Sequence, residues 1–227
     1  MISTNLNKVQ DQIFSKCSEI GRDSNDITLI AVSKTQSIET ISDVYRIGQR
    51  HFGENKAQEL RDKGKELNLD ITWHFIGHLQ KNKAKYAVEF AEYIHSVDSI
   101  QLLDEIDKQA LKFGKVQKFM IEANTSGEES KYGIENFNKI VELAEYSMTL
   151  KNVEFSGLMT MAPFVDDETI IRNSFKVLKE HFDKLKKNGF DIKHLSMGMT
   201  NDYLIALEEG ATMLRIGTAL FGERNYN

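Results

Sequence analysis

The residues best suited to chemistry stand at the ends of short apolar runs. Lys34 follows the run Ile27 to Val32 (ITLIAV) within Ser33-Lys34-Thr35, two positions beyond Val32 and so on the same side of an extended chain. A lysine held against an apolar wall loses solvation of its charge, which favours the neutral amine, and a neutral amine can condense with an aldehyde or ketone to a Schiff base. An ion pair with a carboxylate such as Glu54 accounts for the same lysine equally well, and the residues alone leave both readings open. Arg215 sits inside another apolar run, where a cation is costly unless a partner meets it.

A second chemistry is written near the C-terminus, in the stretch Leu195 to Arg224 (LSMGMTNDYLIALEEGATMLRIGTALFGER). One predicted strand, Leu195 to Met199, is followed by small hydrogen-bonding residues, with Ser196, Gly198, Thr200 and Asn201 at its end. The next, Thr212 to Ile216, runs into Gly217 and Thr218. Glycines let a backbone approach an anion, N–H groups at a following helix start point at it, and hydroxyls donate further bonds, so the two ends read as a phosphate cradle. Two ordinary αβ turns with ordinary caps would be spelled in the same letters.

His74 and His78 lie four apart, but Gly77 and the strand-like WHFIG oppose helical spacing and no third ligand follows. A structural or hydrogen-bonding histidine is the reading, not a metal pair. The single cysteine, Cys17, falls on the stripe Leu6, Val9, Ile13, Cys17, Ile20 and reads as buried filler, in keeping with a reducing compartment.

The elements that must position these groups alternate along the chain. The continuous apolar run Ile27 to Val32 predicts a buried strand, and further short strands are read at His51 to Glu54, Ile71 to Ile76, Tyr93 to Val97, Val116 to Ala123, Val153 to Met161, Leu195 to Met199 and Thr212 to Ile216. An N-terminal helix precedes them. Others follow near Ile38 to Ile47, Lys56 to Leu67, Asn82 to Phe90, Ile100 to Phe113, Ile134 to Leu150, Glu168 to Lys187 and Asn201 to Glu209. About eight strands alternating with helices fit an α/β (β/α)8 TIM barrel with an extra N-terminal helix; an open doubly wound sheet remains the alternative. In either, the C-terminal ends of the strands share one face. Lys34, Glu54, Asn55, His74, His78, Ser96, Asp98, Asn124, Met159 to Met161, Ser196 and Arg215 to Thr218 would gather around it. The polar break Asn124 to Gly133 could cover that mouth or be a plain solvated connection.

The 227 residues, one proline (Pro163) and no linker-like run predict a single domain, residues 1–227. With 41% apolar and 28% charged residues the composition is that of a soluble globular chain, and a net charge of −5 argues against nucleic acid as the main partner. No apolar segment of about 20 residues marks a membrane span and no signal peptide is read, so a cytoplasmic protein is expected.

Eight motifs, in order over nearly the whole chain, resemble the pyridoxal phosphate homeostasis protein family (YggS/PROSC type). They are AVSKT at Ala31, HFGENKAQEL at His51, WHFIGHLQKNK at Trp73, HSVDS at His95, SKYG at Ser130, GLMTMAP at Gly157, and LSMGMTND with RIGTALFGER. The resemblance implies a barrel similar to the alanine racemase N-terminal domain, with pyridoxal 5′-phosphate (PLP) covalently held on Lys34. It implies phosphate contacts from Ser196, Gly217, Thr218 and the neighbouring backbone at Gly198, Met199 and Thr200. Arg215 would stand beside the pyridine nitrogen, and Asn55 and His74 near the ring. An arginine at that nitrogen disfavours its proton and weakens the ring as an electron sink. The implied role is therefore to hold and release PLP, in PLP (vitamin B6) homeostasis, with PLP-dependent apoenzymes as possible recipients and a monomer expected. A PLP-dependent amino-acid racemase is the alternative, with Tyr132 and Tyr203 as candidates for its second base; a Schiff-base aldolase acting on a phosphorylated sugar is a third.

Overall fold

The structure, a computed structural model, describes residues 2–128 and 132–223. Eight strands close into a barrel in sequence order. They are β1 (Thr28–Val32), β2 (His51–Glu54), β3 (Thr72–Phe75), β4 (Tyr93–Val97), β5 (Gln117–Glu122), β6 (Val153–Met159), β7 (His194–Ser196) and β8 (Met213–Ile216). Every pairing is parallel. The closing one sets Leu29 opposite Leu214 and Ile30 opposite Arg215, which removes the open edge of a doubly wound sheet.

Alternation along the strands divides the core in two. Ala31, Phe52, Phe75, Ile94, Phe119 and Leu158 face outward into the main core beneath the helices. Their neighbours in sequence Ile30, Met120 and Met159 form, with Met213, a separate small cluster inside the barrel. That apolar filling shares the lumen with inward-facing His74, His95, Ser196 and Arg215, all buried. A barrel filled by branched aliphatics alone would be the ordinary case.

The surrounding helices are α1 (Ile2–Glu19), α2 (Ile38–Arg46), α3 (Ala57–Glu66), α4 (Ala84–Phe90), α5 (Ile100–Phe113), α6 (Phe137–Ser147), α7 (Glu168–Lys187), α8 (Tyr203–Glu208) and α9 (Thr218–Phe221). Helix α7 shows why such segments fold. Ile171, Phe175, Leu178, Phe182 and Leu185 are buried at helical spacing, each contributing roughly 1.5–3 kcal/mol. Asp167 Oδ1 accepts the N–H of Thr169 at 2.8 Å, capping the start, and lysines crowd the last turn. Helix α1 precedes the first strand, buries Leu6, Val9, Ile13 and Cys17, and packs on α8 and α9. There Tyr203 Oη donates to Gln12 at 2.7 Å and Asn5 Nδ2 donates to Leu220 O at 3.0 Å. Among the described residues no helix is long and apolar enough to cross a membrane.

Several boundaries differ from the sequence expectation for local reasons. The seventh strand ends at Ser196, not Met199, because Gly198 takes φ +93° and turns its carbonyl to accept Arg215 N–H at 2.9 Å. Helix α8 starts at Tyr203, since Asp202 Oδ1 accepts the N–H of Met199 at 2.5 Å and closes a turn first. Helix α6 starts at Phe137, since Ile134 is held in a bridge to Ala123. The one-turn helix α9 after Gly217 carries no periodic signal in so few residues.

Candidate functional site

The carboxyl-terminal mouth of the barrel holds a cavity of about 550 Å³, a size typical of small-ligand sites. Of the residues singled out in the sequence, Lys34, Asn55, Met199, Thr200, Arg215, Gly217 and Thr218 line it together. Val32, Ile76 and Met161 supply apolar wall, and the segment Ala162-Pro163-Phe164 forms part of the rim, with Phe164 89% exposed. Three predicted site residues do not line the cavity. Ser196 lies beneath it, bonded to Arg215; Gly198 contributes through its carbonyl; His74 sits one inward position below Ile76, fully buried.

Lys34 is placed by a clamp built around its backbone. Glu54 faces outward from β2 and is fully buried, so it does not reach into the lumen. Its Oε1 accepts from Lys63 Nζ at 2.8 Å and from Ser33 Oγ at 2.6 Å. Lys63, on α3, also donates to Ser33 O at 2.8 Å and Glu59 Oε1 at 2.6 Å, and Glu59 Oε1 accepts the N–H of Thr35 at 2.6 Å. One buried ammonium and two carboxylates thus grip the residues on both sides of Lys34, and Thr35 is held at φ +67°, where a threonine is strained. The carboxylate offered in the sequence as a partner for Lys34 is engaged by Lys63 and Ser33. Burial raises the Glu54 carboxyl above the usual range, while Lys63 and the hydrogen bonds oppose that.

Arg215 is 4% exposed, and burial pushes its guanidinium down to about 10, with Asp202 and Glu122 opposing the shift, so it stays charged at neutral pH. The fork is fixed from below: Nη1 donates to Ser196 Oγ at 2.5 Å and Nη2 to Thr160 O at 2.8 Å. Glu122, on β5, is pushed up to about 7 by burial and by Asp98, with Arg215 pulling the other way, and its Oε2 accepts no hydrogen bond from the described residues.

The cradle after β7 and β8 is arranged differently from its sequence rationale. The helices α8 and α9 are 6 and 4 residues long, too short for a strong dipole, so an anion there depends on hydroxyls, glycine backbone and Arg215. Thr200 Oγ1 accepts from Ala219 N at 3.3 Å, tying the two turns together. Asn55 also borders the cavity, and its buried Oδ1 has no donor among the described residues, a state costing about 1–3 kcal/mol.

Sequence reading missed Lys63, whose signal was a lone cation on the buried stripe Ala57, Leu60, Lys63 of α3. It also missed the rim residues Ala162 and Phe164, which follow no pattern. His78 does not join His74; it lies beyond Gly77, stacked on Tyr132 at 3.8 Å with Asp98 at 4.0 Å. Of the proposed covering loop, residues 129–131, and with them part of the SKYG motif, lie outside the described residues.

The profile of the alanine racemase N-terminal domain matches residues 10–225. Pyridoxal phosphate homeostasis proteins are similar along the whole chain. That of Aquifex aeolicus is 44% identical over 223 residues, covering 97% of each chain; that of Homo sapiens is 40% identical over 212 residues, covering 88% of this chain and 77% of the human one. Among solved structures, PipY of Synechococcus elongatus PCC7942 with PLP bound superposes with a TM-score of 0.86 at 33% identity, covering 98% of this chain and all of the other. Alanine racemase of Clostridium difficile 630 shares the fold, with a TM-score of 0.78 at 15% identity, and this chain spans 57% of its length. A barrel mouth with an amine, a buried arginine and a hydroxyl-rich turn pair, on a sequence this close to full-length relatives, places the chain in the alanine racemase N-terminal domain family, as a member of the pyridoxal phosphate homeostasis proteins.

Proposed function

We propose that the protein binds PLP in the mouth of the barrel, covalently through Lys34, and serves intracellular PLP homeostasis by holding and releasing it. The carrying observation is that one cavity collects Lys34, Asn55, the charged Arg215 and the Thr200, Gly217 and Thr218 turns. The relatives' name and the PLP bound to PipY support the same assignment. PLP when bound offers an aldehyde to a primary amine, a flat ring and an anionic tail. Lys34 supplies the amine, and the clamp of Lys63, Glu54 and Glu59 fixes the backbone that presents it. Val32, Ile76 and Met161 flank the space for a ring and exclude water. Thr200, Gly217 and Thr218 receive the anionic tail.

Arg215 remains a cation and can only donate hydrogen bonds, so it withholds a proton from whatever acceptor it faces. That favours holding over turnover. Neither tyrosine considered as a second base lines the cavity: Tyr203 Oη is bonded to Gln12, and Tyr132 stacks on His78. The deciding experiment is an absorption titration with PLP followed by borohydride reduction and mass spectrometry. A pyridoxyl adduct on Lys34, absent in Lys34→Ala, is expected; a wild-type chain that takes up no PLP ends the reading. A monomer in the cytoplasm, delivering PLP to apoenzymes, completes the proposal.

A further inference from the structure

Five side chains inside the barrel form an unbroken hydrogen-bonded line from its amino-terminal end to the cavity floor. His51 Nδ1 lies 3.0 Å from His74 Nε2, His74 Nδ1 lies 2.9 Å from His95 Nε2, and His95 Nδ1 lies 2.8 Å from Ser196 Oγ. Ser196 Oγ in turn lies 2.5 Å from Arg215 Nη1. His74, His95 and Ser196 are fully buried, whereas His51 begins β2 at the opposite end from the mouth and is partly exposed. Strands β2, β3, β4, β7 and β8 each contribute one inward residue.

Elementary bookkeeping gives the line a direction. A guanidinium only donates, so Ser196 Oγ accepts from Arg215. The single hydroxyl hydrogen of Ser196 has no other acceptor among the described residues, and leaving it unbonded would cost about 1–3 kcal/mol, so it goes to His95 Nδ1. His95 then carries its one hydrogen on Nε2 and donates to His74 Nδ1; His74 likewise donates from Nε2 to His51 Nδ1. Burial keeps both inner rings neutral, with His51 and His194 adding to that for His74, and His74, Arg215 and His194 for His95. The other groups facing the line are Tyr93, stacked on His74 at 5.0 Å; His194, edge-on to Tyr93; Lys118, above Tyr93; and Glu122 and Asp202, beside Arg215.

We propose that His51 is the proton-sensing end of this one-way chain, and that its protonation reverses every bond up to Ser196 and so alters the grip on an anionic group at the cavity floor. A proton added to His51 Nδ1 meets the hydrogen on His74 Nε2. The conflict is removed only when each buried ring shifts its hydrogen from Nε2 to Nδ1, so that His51 donates to His74, His74 to His95 and His95 to Ser196. One proton is taken from solvent in all and both inner rings stay neutral; Ser196 Oγ then accepts from His95 as well as from Arg215, which loosens its hold on Arg215, the one member of the line that borders the cavity. An anion there therefore favours the reversed chain, and by reciprocity binds more tightly once His51 is protonated. This last coupling rests on the cofactor reading; the direction of the chain does not.

Histidine-15N NMR of the ligand-free chain tests the direction. At pH 8, His74 and His95 should show bare Nδ1 and protonated Nε2, and on acidification both should switch tautomer at the midpoint of His51 while staying neutral. His51→Gln keeps an acceptor for His74 but cannot be protonated; it should preserve the pH 8 pattern and abolish the switch. A hydrogen on His95 Nδ1 at pH 8, a switch that persists in His51→Gln, or loss of fold before His51 titrates would overturn the proposal. In the second arm, PLP affinity of wild type should rise several-fold relative to His51→Gln as pH falls through that midpoint, with equal affinities at pH 8. A constant ratio refutes the coupling. Absence of PLP binding in both proteins refutes the cofactor reading and leaves the NMR result standing.

Discussion

Lys63 Nζ lies 2.8 Å from the carbonyl oxygen of Ser33, the residue immediately before Lys34, so an ammonium on α3 fixes the backbone that presents the cavity's amine. The same ammonium neutralises Glu54 and Glu59, both engaged with this segment. Removing it leaves one fully buried carboxylate and one partly buried carboxylate without their cation, and releases the Ser33 carbonyl.

Lys63→Met is therefore expected to cost about 3–5 kcal/mol, the range for breaking a buried pair from one side. Urea denaturation measures that loss. Lys63→Arg should recover part of the stability yet bind PLP more weakly than wild type, because the longer fork cannot occupy the same point. Full stability in Lys63→Met would show that the cluster does not organise the turn.

Glu122 makes the stability depend on pH in a direction opposite to that of a salt-bridged carboxylate. Its folded value is about 7 against an ordinary 4.5. Between those values the folded chain holds a proton that the unfolded chain has released, so stability falls as pH rises through the window and levels off above it. The full effect is on the order of 3 kcal/mol at 1.36 kcal/mol per unit. Glu122→Gln should flatten this segment of the stability profile and be more stable than wild type at pH 8. Parallel profiles for the two proteins from pH 4.5 to 8 would contradict the assignment.

Much of the framework was legible because a strand buried on both faces reads as a nearly continuous apolar run, as Ile27 to Val32 does. Helix α7 announced itself with caps at both ends. Closure was not legible, since the pairing of Leu29 with Leu214 joins residues from opposite ends of the chain and leaves no local trace. Lys34, Asn55, Thr200, Arg215, Gly217 and Thr218 were found by strand-end position, and Met199 by the resemblance. Lys63 escaped because a lysine on a helix is ordinarily solvated. The histidine line escaped because His51, His74 and His95 become neighbours only through the register of three strands, and single-strand alternation gives their face but not their height. His74 was placed beside a ring by resemblance, whereas it lies one layer under the cavity wall.

Gly198 offers the last test, because it joins backbone conformation to the placement of Arg215. Its φ of +93° is open to glycine, and its carbonyl accepts the Arg215 N–H at 2.9 Å. An added Cβ would stand 2.6 Å from the Cβ of Ala206 and 3.0 Å from the Cα of Tyr203, neither of which can swing aside. Strain at φ and overpacking each cost about 1–3 kcal/mol, so Gly198→Ala should lose about 2–6 kcal/mol and displace β8 from the turn. Because Arg215 is anchored through that turn, PLP affinity should fall as well. Gly48→Ala, also at positive φ but with open space around its Cβ, should lose only the conformational part and leave binding unchanged. Thermal unfolding and PLP titration of the two variants side by side separate strain from displacement; equal binding losses would show that the Gly198 contact does not set the position of Arg215.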